Sequence, residues 1–119
     1  MICLLGITVC ILGSVSMVSA DTVRFNVTIP DDIYSYAVRK ADWEQKFYVT
    51  GTAFNTDRTL YCYSQNINDH TVKGGAATIS RLDVSDSAVY EKIAVPGELY
   101  EMVTAASLSG VNVEGRYTP

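Results

Sequence analysis

The sequence predicts an all-β fold: a single small antiparallel β-sandwich of about eight strands, after a cleaved N-terminal signal helix. Three observations carry this prediction. Residues 1–20 contain no charged side chain, whereas every Lys, Arg, Asp and Glu lies beyond them. After residue 20, Tyr, Val and Thr are abundant and turn residues recur about every ten positions, the rhythm of short antiparallel strands. Finally, Val23, Phe25, Val27 and Ile29 alternate with Arg24, Asn26 and Thr28, which sets one strand face in a core and the other in water.

The first twenty residues read as a secretory signal. Ile2, Leu4, Leu5, Ile7, Val9, Ile11 and Leu12 form an apolar block of the length an export signal needs. It gives way to Gly13-Ser14-Val15-Ser16 and ends on Val18-Ser19-Ala20, side chains short enough for a signal peptidase. The domain boundaries are therefore 1–20 for the signal and 21–119 for the β domain, which is placed outside the cell. A retained anchor is the alternative, since about 20 apolar residues span a bilayer. Against it, no Lys or Arg nearer than Arg24 is present to fix an orientation. Val9 before Cys10 does not suit lipid attachment.

Residues 21–119 are enough for one domain with a thin core. Thirteen acidic and nine basic side chains give a net charge of −4, which argues against nucleic acid and against anionic membrane surfaces once the signal is removed. Of three cysteines, Cys3 and Cys10 leave with the signal. Cys62 remains alone, so the domain folds without an internal disulfide. It shares a strand face with Leu60 and reads as a small buried hydrophobe, with pairing between chains as the alternative.

Taken in order, Pro30-Asp31-Asp32 ends the first strand, because proline cannot donate to a ladder and aspartate favours turns. Tyr34 to Lys40 reads as a second strand, Tyr34, Tyr36 and Val38 opposite Ser35, Ala37 and Arg39. Lys46 to Phe54 is a third, with Phe47, Val49 and Gly51 set against Tyr48, Thr50 and Thr52. Asn55-Thr56-Asp57-Arg58 turns into a fourth, Thr59 to Gln65, so 46–65 is expected to be a hairpin. A polar loop follows at 66–70. Gly74-Gly75 marks a bulge or turn before a strand over Ala76 to Leu82. Asp83 to Ser87 reads as a turn, Ala88 to Val95 as a strand stopped by Pro96-Gly97. Over Glu98 to Leu108 the alternation of Tyr100, Met102, Thr104 and Ala106 favours a strand over a helix. Ser109-Gly110 then leads into Val111, Val113 and Gly115, with Asn112 and Glu114 outward.

No catalytic constellation emerges. A Cys–His pair would need Cys62 and His70, the one histidine, within hydrogen-bond reach, yet Cys62 points inward and His70 sits in a polar turn. Asp31-Asp32 are adjacent turn residues that cannot face each other across a cleft. Asp83-x-Ser85-Asp86 lacks the ligand count and glycine of a calcium loop. No metal or cofactor is therefore expected. Asn26-Val27-Thr28 is a glycosylation sequon on an outward face.

Aromatic residues are the functional signal. Eight tyrosines, all after residue 20, together with Trp43 exceed what a thin core buries. Tyr61 and Tyr63 lie opposite Leu60 and Cys62, and Tyr48 shares its face with Thr50 and Thr52. Such rings, flat and apolar with a polar tip, suit sugar rings or a cell-surface protein. Tyr48, Tyr61, Tyr63 and Trp43 are the candidate ligand-binding residues. The competing reading makes the rings cross-strand pairs that stabilise the sheet.

Two resemblances follow. Leu82 to Tyr90 is similar to the D-S-A-x-Y segment of immunoglobulin variable domains, but Lys92 stands where that family has cysteine, and Trp43 precedes Cys62 where the family has the reverse order. The overall layout resembles small, functionally uncharacterised secreted β proteins of Gram-positive bacteria. It does so through the V-x-F-x-V-x-I strand at Val23 to Ile29, Tyr36 to Lys40, and Val113-x-Gly115-Arg116-Tyr117-Thr118-Pro119. That resemblance implies a β-sandwich and carries no activity over. Two functions are thus in view: a secreted non-enzymatic binding module using an aromatic strand face, and a bacteriocin-like toxin acting on competing cells.

Overall fold

A computed structural model describes residues 21–119. The expected signal over residues 1–20 lies outside the described residues. The chain forms β1 (Val23–Thr28), β2 (Val38–Arg39), β3 (Lys46–Phe54), β4 (Leu60–Asn66), β5 (Ala77–Ile79), β6 (Ser85–Val89), β7 (Leu99–Ala106) and β8 (Asn112–Thr118). These build two four-stranded antiparallel sheets, ordered β1-β8-β3-β6 and β2-β7-β4-β5.

Period-two alternation explains which side chains go inside. The first sheet contributes Phe25, Val27, Phe47, Val49, Val113 and Tyr117 to a single buried cluster, and the second contributes Leu60, Cys62, Ile79, Tyr100 and Met102. The arrangement is sandwich-like, with one apolar layer between two sheets. The strand favoured over Glu98 to Leu108 is present as β7, with Tyr100, Met102 and Thr104 inward. The expected faces of β3 and β8 hold as well.

The expected 46–65 hairpin does not form. Both edges of β3 are taken, one by β6 and one by β8, which leaves no edge for β4. Residues 55–59 instead carry the chain from the first sheet to the second. Asn55 fixes the start of that crossing by donating to the Gly110 carbonyl (2.8 Å) and accepting from Asn112 N–H (2.9 Å). Arg81 holds it from below, donating to the Phe54 carbonyl (2.9 Å) and pairing with Asp57 at 2.9 Å.

Other expectations shift. The second strand shrinks to Val38–Arg39, while Tyr34 makes an isolated bridge with Val103. The pairing sum changes by one residue between these contacts, so Val38 is buried while Tyr34 and Tyr36 face out. The strand expected over Ala76 to Leu82 is confined to β5. In place of the turn expected over Asp83 to Ser87 and the strand expected over Ala88 to Val95, Ser85 to Val89 pairs with β3 as an edge strand. Its Asp86 carboxylate accepts the Thr78 N–H at 2.8 Å and so ties together the margins of both sheets. Beyond Tyr90 the chain leaves the ladder. Gln45 takes over there, donating to the Ala94 carbonyl (2.9 Å) and accepting its N–H (2.7 Å).

Gly115 marks the tightest approach to backbone in the first sheet. A methyl group there would lie 2.2 Å from the Thr50 carbonyl oxygen and 2.7 Å from the Phe25 ring. The backbone contact cannot yield as a flexible side chain would. Gly115→Ala is expected to cost about 3 kcal/mol and to lower the thermal midpoint by about 15 °C. Gly75→Ala, where an added methyl meets nothing within 4 Å, should leave the midpoint within about 2 °C in the same melt.

Candidate aromatic binding face

Residues paired across an antiparallel ladder point to the same side. On the second sheet Tyr63 is paired with Val103, and Val103 with Tyr34 on its other flank. One register step along β4, Tyr61 lies between Ala105 and Thr78. Val103 sits between the buried Met102 and Thr104, so this whole row faces solvent. Tyr34, Tyr61 and Tyr63 are 52%, 39% and 38% exposed, enough ring surface to meet a partner. The row is bordered by Gln65, which donates to the Glu101 carboxylate at 2.8 Å.

Tyr61 and Tyr63 are thus brought together, but Tyr48 is not with them. It lies on β3 in the other sheet, between Ser87 and Thr118. Its hydroxyl donates to the Glu44 carboxylate, and that bond holds the phenol above its usual pKa. Trp43 belongs to the connection before β3 and is exposed, its carbonyl accepting from Gln45 Nε2 at 2.8 Å. Tyr34 takes the place that Tyr48 was expected to fill. In the sequence it was masked by Val38, which has the same parity and reads as its inward companion until the register slips.

Nucleophilic chemistry finds no purchase at Cys62. The side chain is fully buried beside Leu60, and burial, with Asp86 adding to it, pushes the thiol pKa up to about 12. His70 is exposed in its loop. Asp86 is engaged with Thr78, and Asp32 is held at the end of β1 by reciprocal backbone bonds with Thr28 of 2.8 and 2.9 Å. No family model matches the chain, and no curated protein is similar to it.

Because the folded state holds the Cys62 proton to about pH 12 whereas an unfolded thiol releases it near 9.0, folding keeps this stability below pH 9 and loses it as pH rises toward 12. The loss runs at about 1.4 kcal/mol per pH unit while the two states differ by one proton. Tyr90 and Tyr117, whose phenols burial also raises, act in the same sense at higher pH. Denaturant unfolding of wild type and Cys62→Ala from pH 7 to 11 separates these contributions. The difference in stability between the two proteins should be constant to about pH 8.5 and then shrink steadily.

Proposed function

We propose that the protein is a secreted, non-enzymatic β-sandwich binding module that engages a glycan or a cell-surface protein through the outward rings of the second sheet. The observation that carries this reading is how the tyrosines sort. Among the described residues, the ring–ring contacts join Phe47, Tyr90, Tyr100 and Tyr117, all in the core. Tyr34, Tyr61 and Tyr63 instead face Val103, Ala105 and Thr78 across their ladders. Tyr63–Val103 and Tyr61–Thr78 are cross-strand aromatic–β-branched pairs, which stabilise the sheet while leaving more than a third of each tyrosine exposed.

Tyrosine on a regular strand offers contact area at small entropic cost, since few torsions need fixing. A row of three such rings beside Val103 is a flat apolar surface edged with hydroxyls, suited to stacking on sugar rings or on a partner's apolar patch. Residues 1–20 act as the export signal in this reading, and the released domain binds neither membrane nor nucleic acid. Among the described residues no helix is long and apolar enough to cross a membrane.

The double variant Tyr61→Ala/Tyr63→Ala should lose at least about tenfold in affinity on a glycan and cell-wall array. Its thermal midpoint should fall by only about 5 °C, because surface cross-strand contacts are worth a fraction of a kcal/mol each. Unchanged array binding by the variant would remove the basis of the proposal. Intact mass of material recovered from culture fluid should begin at Asp21, and a mass retaining Met1 would refute export by cleavage.

A further inference from the structure

A groove of about 500 Å³ lies at the margin where β1, the outermost strand of the first sheet, meets the segment leading to β2. Its size falls within the range of small-ligand sites, about 300–1,000 Å³. On one side are Asn26, Thr28 and Asn112, and on the other Asp32, Tyr34 and Tyr36. Tyr36 is 80% exposed, the most open ring in the described chain.

The groove is held open in a defined shape by bonds on both walls. The reciprocal Thr28–Asp32 backbone pair fixes Asp32 beside the end of β1. Ser35 anchors the opposite wall: its N–H donates to the Met102 carbonyl at 2.9 Å, and its hydroxyl accepts the Met102 N–H at 2.8 Å and donates to the Tyr36 carbonyl at 3.0 Å. The residues flanking Ser35, Tyr34 and Tyr36, are thereby set in place before any ligand arrives. Asn112 Nδ2 donates to Asn26 Oδ1 at 2.8 Å and to Thr28 Oγ1 at 2.9 Å. That orients the Asn26 amide so that its own NH₂ group, and the Thr28 hydroxyl proton, remain to be offered. The Asp32 carboxylate makes no hydrogen bond or ion pair to any described residue.

The inventory is specific. Two tyrosines, a carboxylate without a partner among the described residues, an amide and a hydroxyl line one cleft. A pyranose presents apolar C–H faces for the rings, and neighbouring hydroxyls that need an acceptor and donors side by side. Asp32 at the groove, next in sequence to Asp31 and on a chain of net charge −4, repels an anionic sugar. We propose that this groove is a binding site for a neutral oligosaccharide, with Tyr36 as stacking platform and Asp32 as hydroxyl acceptor. The inference rests on the binding-module reading above and assigns the decisive contacts to Tyr36 and Asp32, which lie outside the Tyr34–Tyr61–Tyr63 row.

The test is calorimetric titration of the purified full chain with three neutral probes, the tetrasaccharides of N-acetylglucosamine, glucose (β-1,4-linked) and mannose, and with tetragalacturonate as the anionic counterpart. At least one neutral tetrasaccharide should bind and tetragalacturonate should not. Tyr36→Ala and Asp32→Ala, both exposed positions, should each weaken that binding at least about tenfold with unchanged circular dichroism. Failure of all three neutral probes to bind, tetragalacturonate binding as tightly as they do, or binding that survives either substitution would each overturn the proposal. Loss of saccharide binding in Tyr61→Ala/Tyr63→Ala with full retention in Tyr36→Ala would overturn the groove while leaving the outward face of the second sheet in place as the binding surface. The reverse pattern would uphold the groove and reject that face.

Discussion

Ser64 stands between two phenols, its hydroxyl 2.8 Å from Tyr90 Oη and 2.5 Å from Tyr117 Oη, with all three residues buried. Ser64 belongs to the second sheet, Tyr117 to the first, and Tyr90 directly follows the first sheet's edge strand. A buried hydroxyl without a partner costs roughly 1–3 kcal/mol. The two sheets therefore meet in the register that lets one serine serve two tyrosines. Around this point the rings of Phe47, Tyr90, Tyr100 and Tyr117 pack at tilted or edge-on angles, 5.7–6.4 Å between centroids. Cys62, the one cysteine among the described residues, is buried and free, so among these residues no disulfide joins the sheets.

The same region takes in a cation. Lys40 is buried with its Nζ 5.2 Å from the Tyr90 ring centroid, donating to the Pro119 carbonyl at 3.1 Å and 3.5 Å from an Asp42 oxygen. Burial lowers the ammonium pKa, and Asp42 works against that shift. A buried ammonium needs such company, since stripping its water shell is expensive unless a ring face, a carbonyl or a carboxylate replaces it. Lys40 is thus a second inter-sheet tie: it follows β2 in the second sheet and reaches the residue that follows β8 in the first. Gly97 N–H and the Lys40 carbonyl at 2.8 Å, with Lys40 N–H on the Glu98 carbonyl at 3.0 Å, hold its backbone in the position this requires.

What was legible in the sequence follows from how strongly each strand is constrained. Strands with one wholly apolar face, such as Val23–Thr28, Lys46–Phe54 and Asn112–Thr118, announce themselves because a one-residue slip would expose every core side chain. Ser85–Val89 does not, because an edge strand buries little and its serines and aspartate read as turn formers. Partner choice was hidden for a different reason. Alternation says which face of a strand is inward but is silent about which neighbour takes its edges, so the crossing at 55–59 could be mistaken for a hairpin. That error carried into the candidate face: with β3 and β4 placed in one sheet, Tyr48 seemed to join Tyr61 and Tyr63. Tyr34 and Tyr36 were obscured by the register change before Val38, which no local pattern marks. Lys40, read as the polar end of a strand, is interior only because Tyr90 and Pro119 come to it from distant parts of the chain.

The outer faces of the two sheets differ in what they leave unspent. On the first, polar side chains away from the groove bond to one another: Thr22 to Thr118 at 2.7 Å, Thr50 to Ser85 at 3.0 Å, and Thr52 to the Glu114 carbonyl at 3.2 Å. Tyr48, the aromatic residue on that face, has its hydroxyl committed to Glu44. A surface whose donors and acceptors already satisfy each other gains little by exchanging them for those of a ligand, because each new bond replaces an existing one. On the second sheet and at the groove beside it, the exposed phenols of Tyr34, Tyr36, Tyr61 and Tyr63 are not so engaged among the described residues, and their rings are half-open to water. Covering those rings removes apolar area from solvent at about 25 cal/mol per Å² without breaking any internal bond. A partner on this side would therefore displace fewer internal bonds than one on the other, an asymmetry set by where the sheet-to-sheet crossings deliver the tyrosines.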